Sequence, residues 1–284
     1  MATCPSPRSV TLAVFAAGDP QRQGMALPHQ ARFDNICAML RAAVLIFLFA
    51  LVVIPAAGQS VHPDLNGVWQ ALNTAAWDIQ DHSGQLGVPP GQGVVEGNEI
   101  PYQPWAAAKK QENFAHRLTA DPAEANCFLP GVPRATYMPF PFEIIATPQR
   151  IAIAYEFAHA LRTIPLDGSA HPEGLPDTWM GDSRGRWEGK TLVVDVKNFN
   201  DDTWFDRAGN FHSDALHVVE RYTLTDPDHI AYEATVEDPK VFTRPWKMSM
   251  PLYRRVDKNV KLLEYECVFY LQEERFKNAP FTRR

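Results

Sequence analysis

Leu216-His-Val-Val-Glu-Arg-Tyr-Thr-Leu-Thr-Asp-Pro-Asp-His-Ile-Ala-Tyr-Glu-Ala-Thr-Val-Glu237 decides the fold. Two runs rich in β-branched and aromatic residues, 216–224 and 230–237, flank Asp226-Pro227-Asp228, whose residue types favour a tight reversal between antiparallel strands. Successive side chains of a strand point to opposite faces. Leu216, Val218, Glu220, Tyr222 and Leu224 therefore share one face, and His217, Val219, Arg221 and Thr223 share the other. In the second run Ile230, Tyr232, Ala234 and Val236 oppose Ala231, Glu233, Thr235 and Glu237. Each face of the first run carries residues out of keeping with it, so the pattern leaves open which face is inside.

The same period of two recurs outward from this hairpin. Strands are expected at 64–70, 142–147, 150–157, 159–164, 191–197, 246–254 and 260–270. Pro148-Gln149 and Glu188-Gly189 are turn formers between neighbouring runs, which favours an antiparallel meander over parallel βαβ units. Residues 104–118, opening on Pro104, form the one expected helix. Residues 80–103 and 121–141 are too rich in Gly and Pro for regular structure. Eight or nine strands with one helix predict a mainly β fold, a closed or nearly closed antiparallel β-barrel with long Pro/Gly-rich loops.

Ahead of the strands, Arg41 precedes the apolar run 42–54, and Pro55 leads to small residues at Ala56 and Gly58. That layout is a secretory signal peptide over 39–58, cleaved after Gly58. The run is shorter than the roughly 20 residues a spanning helix needs, so stable membrane insertion is not expected. Residues 1–38 show no apolar periodicity; with Met25 and Met39 as alternative starts, they read as an extension foreign to the fold. Residues 59–284 are expected to form a single barrel domain, periplasmic or secreted. Of 27 Lys/Arg and 33 Asp/Glu in the chain, four and two fall in 1–58, leaving 23 and 31 and a formal charge of −8. Such a chain, without a basic cluster, is repelled by nucleic acid and anionic lipid. Cys127 and Cys267 remain after cleavage and can pair in an oxidising compartment. The sequence does not set the oligomeric state.

The densest chemistry lies in 198–215, an 18-residue connection holding four Asp, one His, one Arg and one Trp. Long connections without regular structure are commonly binding loops, although Asp and Asn also serve turns, Asp206-Arg-Ala-Gly209 being one. His217 or His212 can move protons near neutral pH, with Asp214 or Glu220 orienting the ring. His217, Glu220 and Asp214 are thus the candidate catalytic residues, and His212, Asp202, Arg162, Trp204, Trp179 and Tyr155 the candidate substrate contacts. Two His and a carboxylate can also hold zinc or iron, but the spacing of His212, Asp214 and His217 matches no regular ligand motif, so no cofactor is expected. The strand carboxylates have two readings: a solvent-facing ion ladder with Arg221 and Arg254, or a polar interior pocket among Tyr and Trp. No Gly-x-Ser-x-Gly, Gly-x-Gly-x-x-Gly or Gly-x-x-x-x-Gly-Lys-Ser/Thr occurs, which leaves elbow-type serine hydrolases, dinucleotide enzymes and P-loop enzymes unsupported. Asp182-Ser-Arg-Gly-Arg-Trp-Glu-Gly189 precedes a β-hairpin and does not suit a phosphate.

Asp64-Leu-Asn-Gly-Val-Trp69 resembles the first strand of lipocalin-like (calycin) barrels. Asn126-Cys-Phe-Leu-Pro-Gly-Val-Pro-Arg134, Pro139-Phe-Pro-Phe-Glu-Ile145, Gly185-Arg-Trp-Glu-Gly-Lys-Thr-Leu-Val-Val-Asp195, Ala215-Leu-His-Val-Val-Glu-Arg-Tyr222 and Thr243-Arg-Pro-Trp246 together resemble a family of secreted soil-bacterial proteins, over nearly all of 60–270. That resemblance carries no activity over. The calycin resemblance implies an internal ligand cavity; the proline-rich stretch between Gln70 and Phe142 departs from a minimal barrel. The expectation is an exported barrel binding a small apolar or aromatic molecule, with 198–215 near its mouth. It acts as a cofactor-free lyase, hydratase or isomerase, or alternatively as a non-catalytic periplasmic carrier, or thirdly as a metal-assisted hydrolase.

Overall fold

The hairpin forms as its alternation requires: β7 (His217–Asp226) and β8 (His229–Glu237) pair antiparallel, with Val218 opposite Val236, Glu220 opposite Ala234 and Tyr222 opposite Tyr232. Asp226 accepts a hydrogen bond from the Asp228 amide at 2.9 Å and fixes the turn. The computed structural model describes residues 62–86 and 88–265. Around the hairpin lie β1 (Gly67–Ala71), β2 (Phe142–Ala146), β3 (Arg150–Tyr155), β4 (Leu161–Pro165), β5 (Asp182–Glu188), β6 (Thr191–Lys197) and β9 (Trp246–Arg254). They make one sheet in the order β4-β3-β2-β1-β9-β8-β7-β6-β5, antiparallel at every ladder.

The two ends of this sheet approach each other. Arg162 of β4 donates through Nε to Ser183 Oγ of β5 at 2.8 Å, and a methyl group on Gly185 of β5 would fall 2.7 Å from Ile164 Cγ2 of β4. The result is a nearly closed antiparallel barrel, consistent with a lipocalin-like one. Nine is odd, and an odd ring of alternating strands must contain one like-directed contact. That contact is β4 against β5: Arg162 meets Ser183 and Ile164 meets Gly185, so both strands advance together. The 166–181 connection crosses between them, as a parallel step requires.

Inside the ring stand Trp69, Phe142, Ile144, Ile153, Val194, Val218, Tyr222, Tyr232 and Met248, all buried. Each fully buried aliphatic or aromatic side chain contributes roughly 1.5–3 kcal/mol, and this row is the main stabilising element. On the outer face Arg221 bonds Glu188 at 2.9 Å and lies 3.9 Å from Glu233, half-exposed. Both readings of the strand carboxylates therefore hold, one on each face: Glu233 belongs to the outer ladder and Glu220 lies inside at 0 % exposure.

Several elements differ from the expectation. α1 (Pro104–Ala115) stops at His116, and three one-turn helices follow: α2 (Arg117–Ala120), α3 (Pro122–Ala125) and α4 (Arg134–Tyr137). The last two fall in 121–141, where Pro122 and Asp121 supply a helix start; Asp121 caps the Ala123 amide at 3.1 Å. Asp182–Glu188 is itself the first arm of a hairpin with β6, not a lead-in to one. Residues 260–265 are not a strand, and the rest of 260–270 lies outside the described residues, as do Cys267, the signal segment 39–58 and the extension 1–38. Among the described residues no helix is long and apolar enough to cross a membrane.

Candidate functional site

β4 reads Leu161, Arg162, Thr163, Ile164, with the even members buried and the odd ones exposed, so Arg162 takes an interior place in phase with Ile164. Inside, its Nη2 bonds Glu220 Oε2. The other oxygen, Glu220 Oε1, accepts from Tyr222 at 2.9 Å and from Tyr232 at 2.8 Å. Arg162, Glu220, Tyr222 and Tyr232 are all nearly or fully buried. Burial alone lowers the tendency of Arg162 to stay charged, but the Glu220 carboxylate more than reverses this and holds the guanidinium charged. Burial likewise pushes the Tyr222 and Tyr232 phenols well above their ordinary range, reinforced by Glu220, so both remain hydrogen-bond donors.

Three more polar atoms of this cluster have no hydrogen-bond partner: Arg162 Nη1, Tyr155 Oη and Thr136 Oγ1. Tyr155 lies close enough to Arg162, Glu220 and Thr136 for each to influence its phenol, without the geometry of a hydrogen bond. A buried ion pair is roughly neutral for stability against a well-packed apolar replacement, whereas a buried unsatisfied group costs about 1–3 kcal/mol. Three such atoms lie together beside the fully bonded Glu220 carboxylate.

The remaining expected site residues lie elsewhere. His217 is on the outer face of β7, where Nε2 bonds Asp195 Oδ2 at 2.9 Å. His171, which no sequence signal singled out because it sits in the irregular 166–181 connection, bridges Asp195 Oδ1 and Asp182 Oδ1, each at 2.7 Å. Arg184 also bonds Asp182. His217 and Glu220 are thus on opposite sides of the barrel wall and do not form an acid/base pair; no bulge between them shifts the alternation. Asp214 is exposed and bonded to Lys240 Nζ at 2.6 Å, which holds its carboxyl below the usual range. Asp202 is exposed at the rim. His212 is buried, Nε2 to Thr203 Oγ1 at 2.6 Å and Nδ1 to the Ser213 carbonyl at 3.0 Å, and burial lowers its proton affinity. His212, Asp214 and His217 are therefore drawn to three different partners and converge on no single point.

Trp204 is buried and bridges Phe211, while Trp179 packs on Phe128 at 5.1 Å. Both belong to the 198–215 region or its surroundings, which is a plug and not a solvated lid. Phe205 packs edge-on against Trp246 at 5.5 Å, Ser213 donates to Asp238 beyond β8, and Tyr137 bonds the Phe205 carbonyl at 2.9 Å. At its centre Asp206, fully buried, accepts from the Ile79 amide at 2.9 Å and from Asn210 Nδ2 at 2.6 Å. Burial, joined by the nearby Asp78, pushes the Asp206 carboxyl up to about 7. The opposite end of the barrel carries an open surface groove of about 750 Å³ beside Asp64, Lys190, Asp226 and Arg254, remote from the interior cluster.

Of the expected residues, Arg162, Glu220 and Tyr155 come together. Tyr222, Tyr232, Ser183 and Thr136 join them unforeseen; the in-phase position of Arg162 in β4 and of the two tyrosines in β7 and β8 was the available signal. The fold and this cluster define an antiparallel β-barrel with a charged, tyrosine-lined interior. Comparison of the chain with protein-family models, curated proteins and solved structures finds no match, so nothing beyond the barrel supports the resemblance to secreted soil-bacterial proteins.

Proposed function

We propose that this protein is an exported β-barrel that binds a small molecule against Arg162, Tyr155 and Thr136 and carries it without turning it over. The observation behind this reading is the set of three buried polar atoms without partners, one of them Arg162 Nη1, beside the fully bonded Glu220 carboxylate. A nearly closed barrel is compatible with such binding. The carrier reading is favoured over a lyase, hydratase or isomerase because Glu220, held by two phenols and a guanidinium, is a bonded anion with no histidine beside it among the described residues. The apolar run before Pro55 supports export, as does a pair of cysteines, Cys127 and Cys267, able to bond in an oxidising compartment.

Native mass spectrometry of the exported protein, followed by denaturing mass of the same sample, tests the reading. The expected result is a small-molecule adduct that is lost on denaturation and weakened in Tyr155→Phe. A bare chain mass, together with unchanged NMR signals of Tyr155, Tyr222 and Tyr232 on exposure to small aromatic compounds, would overturn it.

A further inference from the structure

The charge balance of the interior cluster selects among ligands. Among the described residues of this cluster the positive charge is that of Arg162, and Glu220 already neutralises it through Nη2. A second anion brought to Arg162 Nη1 would leave one buried negative charge without a counter-charge, among side chains that are 3 % exposed or less. What the site offers is donors: Arg162 Nη1 has N–H groups only, and the buried Tyr155 phenol, its proton held by desolvation, has one O–H to give. Thr136 Oγ1 adds a second O–H, and a third donor group, at 0 % exposure. A carbonyl oxygen has two lone pairs and no proton, and so it meets Arg162 and Tyr155 together.

We propose that the ligand is a neutral molecule carrying a carbonyl oxygen on an apolar body, and that the site rejects the corresponding carboxylate. This rests on the small-molecule reading of the same site. The apolar body follows from what surrounds the donors: Phe142, whose ring lies 5.5 Å from that of Tyr155, and the interior aliphatic residues Ile153 and Ile164. Rejection of the carboxylate is a consequence of Glu220, since removing its charge frees Arg162 to accept an anion.

The test is ligand-observed NMR titration of the purified protein with acetophenone, benzoate and toluene, three probes that share a ring and differ in the group presented. Acetophenone is expected to bind roughly tenfold or more tightly than toluene, as a hydrogen bond to a charged donor gives, and benzoate less tightly than acetophenone. In Glu220→Gln the order of acetophenone and benzoate reverses. In Tyr155→Phe, which deletes one unpartnered oxygen and keeps the ring, the advantage of acetophenone over toluene shrinks severalfold while the folded-state circular dichroism is unchanged. Benzoate binding to the unaltered protein as tightly as acetophenone overturns the proposal and leaves the binding reading standing. Binding of none of the three overturns both.

Discussion

Glu220 and Asp206 are both buried carboxylates, and their neighbours give them opposite roles. Glu220 faces a guanidinium and two phenols, so burial is offset by charge and by donors. Asp206 has amide donors but also Asp78, and its carboxyl rises to about 7. A group whose folded value lies above its unfolded value of about 3.9 binds more protons when folded between those limits, so its ionisation subtracts stability as pH rises from about 4 to about 7. Asp206→Asn is expected to flatten that part of the stability profile, measured by urea unfolding at a series of pH values. An unchanged slope in the variant would show that Asp206 does not carry it. The sequence showed the type of each residue and its face, but not its partners. Glu220 was placed correctly with Val218 and Tyr222, yet nothing in its own strand said that Arg162, 58 positions away, would meet it.

Among the elements, the strands were the most legible because burial on one face imprints a period of two on the chain. The connections were not. The 198–215 segment has the composition of a solvated loop, and the structure buries much of it, since its Asp and Asn spend their polarity on backbone amides of the segment and its surroundings. The Asp206-to-Gly209 turn was readable, the Gly209 amide donating to the Asp206 carbonyl at 3.4 Å. What it packs against was not: Gly209 has φ +82°, and a methyl group there would lie 2.7 Å from Asn113 Cβ and 2.8 Å from the Phe114 amide nitrogen of α1. Gly209→Ala is therefore expected to destabilise by about 1–3 kcal/mol, through a left-handed backbone and a clash with a helix. Differential scanning calorimetry checks it, and a variant as stable as the parent would place α1 and the plug further apart. The 260–270 run has the alternation of a strand, but 260–265 lie beside Glu156, which accepts the Leu263 amide at 2.7 Å, outside any ladder.

At the scale of the whole barrel the decisive fact is the odd number of strands among the described residues. Eight neighbouring pairs have ladders, and the ninth contact, β4 with β5, rests on side chains such as Arg162 and Ser183. In a strand laddered on one side, alternate amides lack a ladder partner. Hydrogen exchange is expected to be fastest, within the sheet, at alternate amides of β4 and β5, and slowest in β7 and β8, which are laddered on both sides. Uniform protection around the ring would mean that the ninth contact is a true ladder. The sequence suggested eight or nine strands; the parity, and with it the position of the weak contact, depends on 182–188 pairing as β5 and on 260–265 staying outside the sheet.

That parity also fixes how the chain is threaded. Read from β5 through β9 and then from β1 to β4, the strands follow one another around the ring as a plain up-and-down meander, because β9 pairs directly with β1, Trp69 opposite Arg254. The described strands are thus a circular permutation of that meander: the first and the last of them, β1 and β9, are paired with each other, and the place where a simple meander would begin and end is spanned by 166–181. The first and last strands are laddered to each other within the firm part of the wall, while the stave joint nearest Arg162 is left to a crossover.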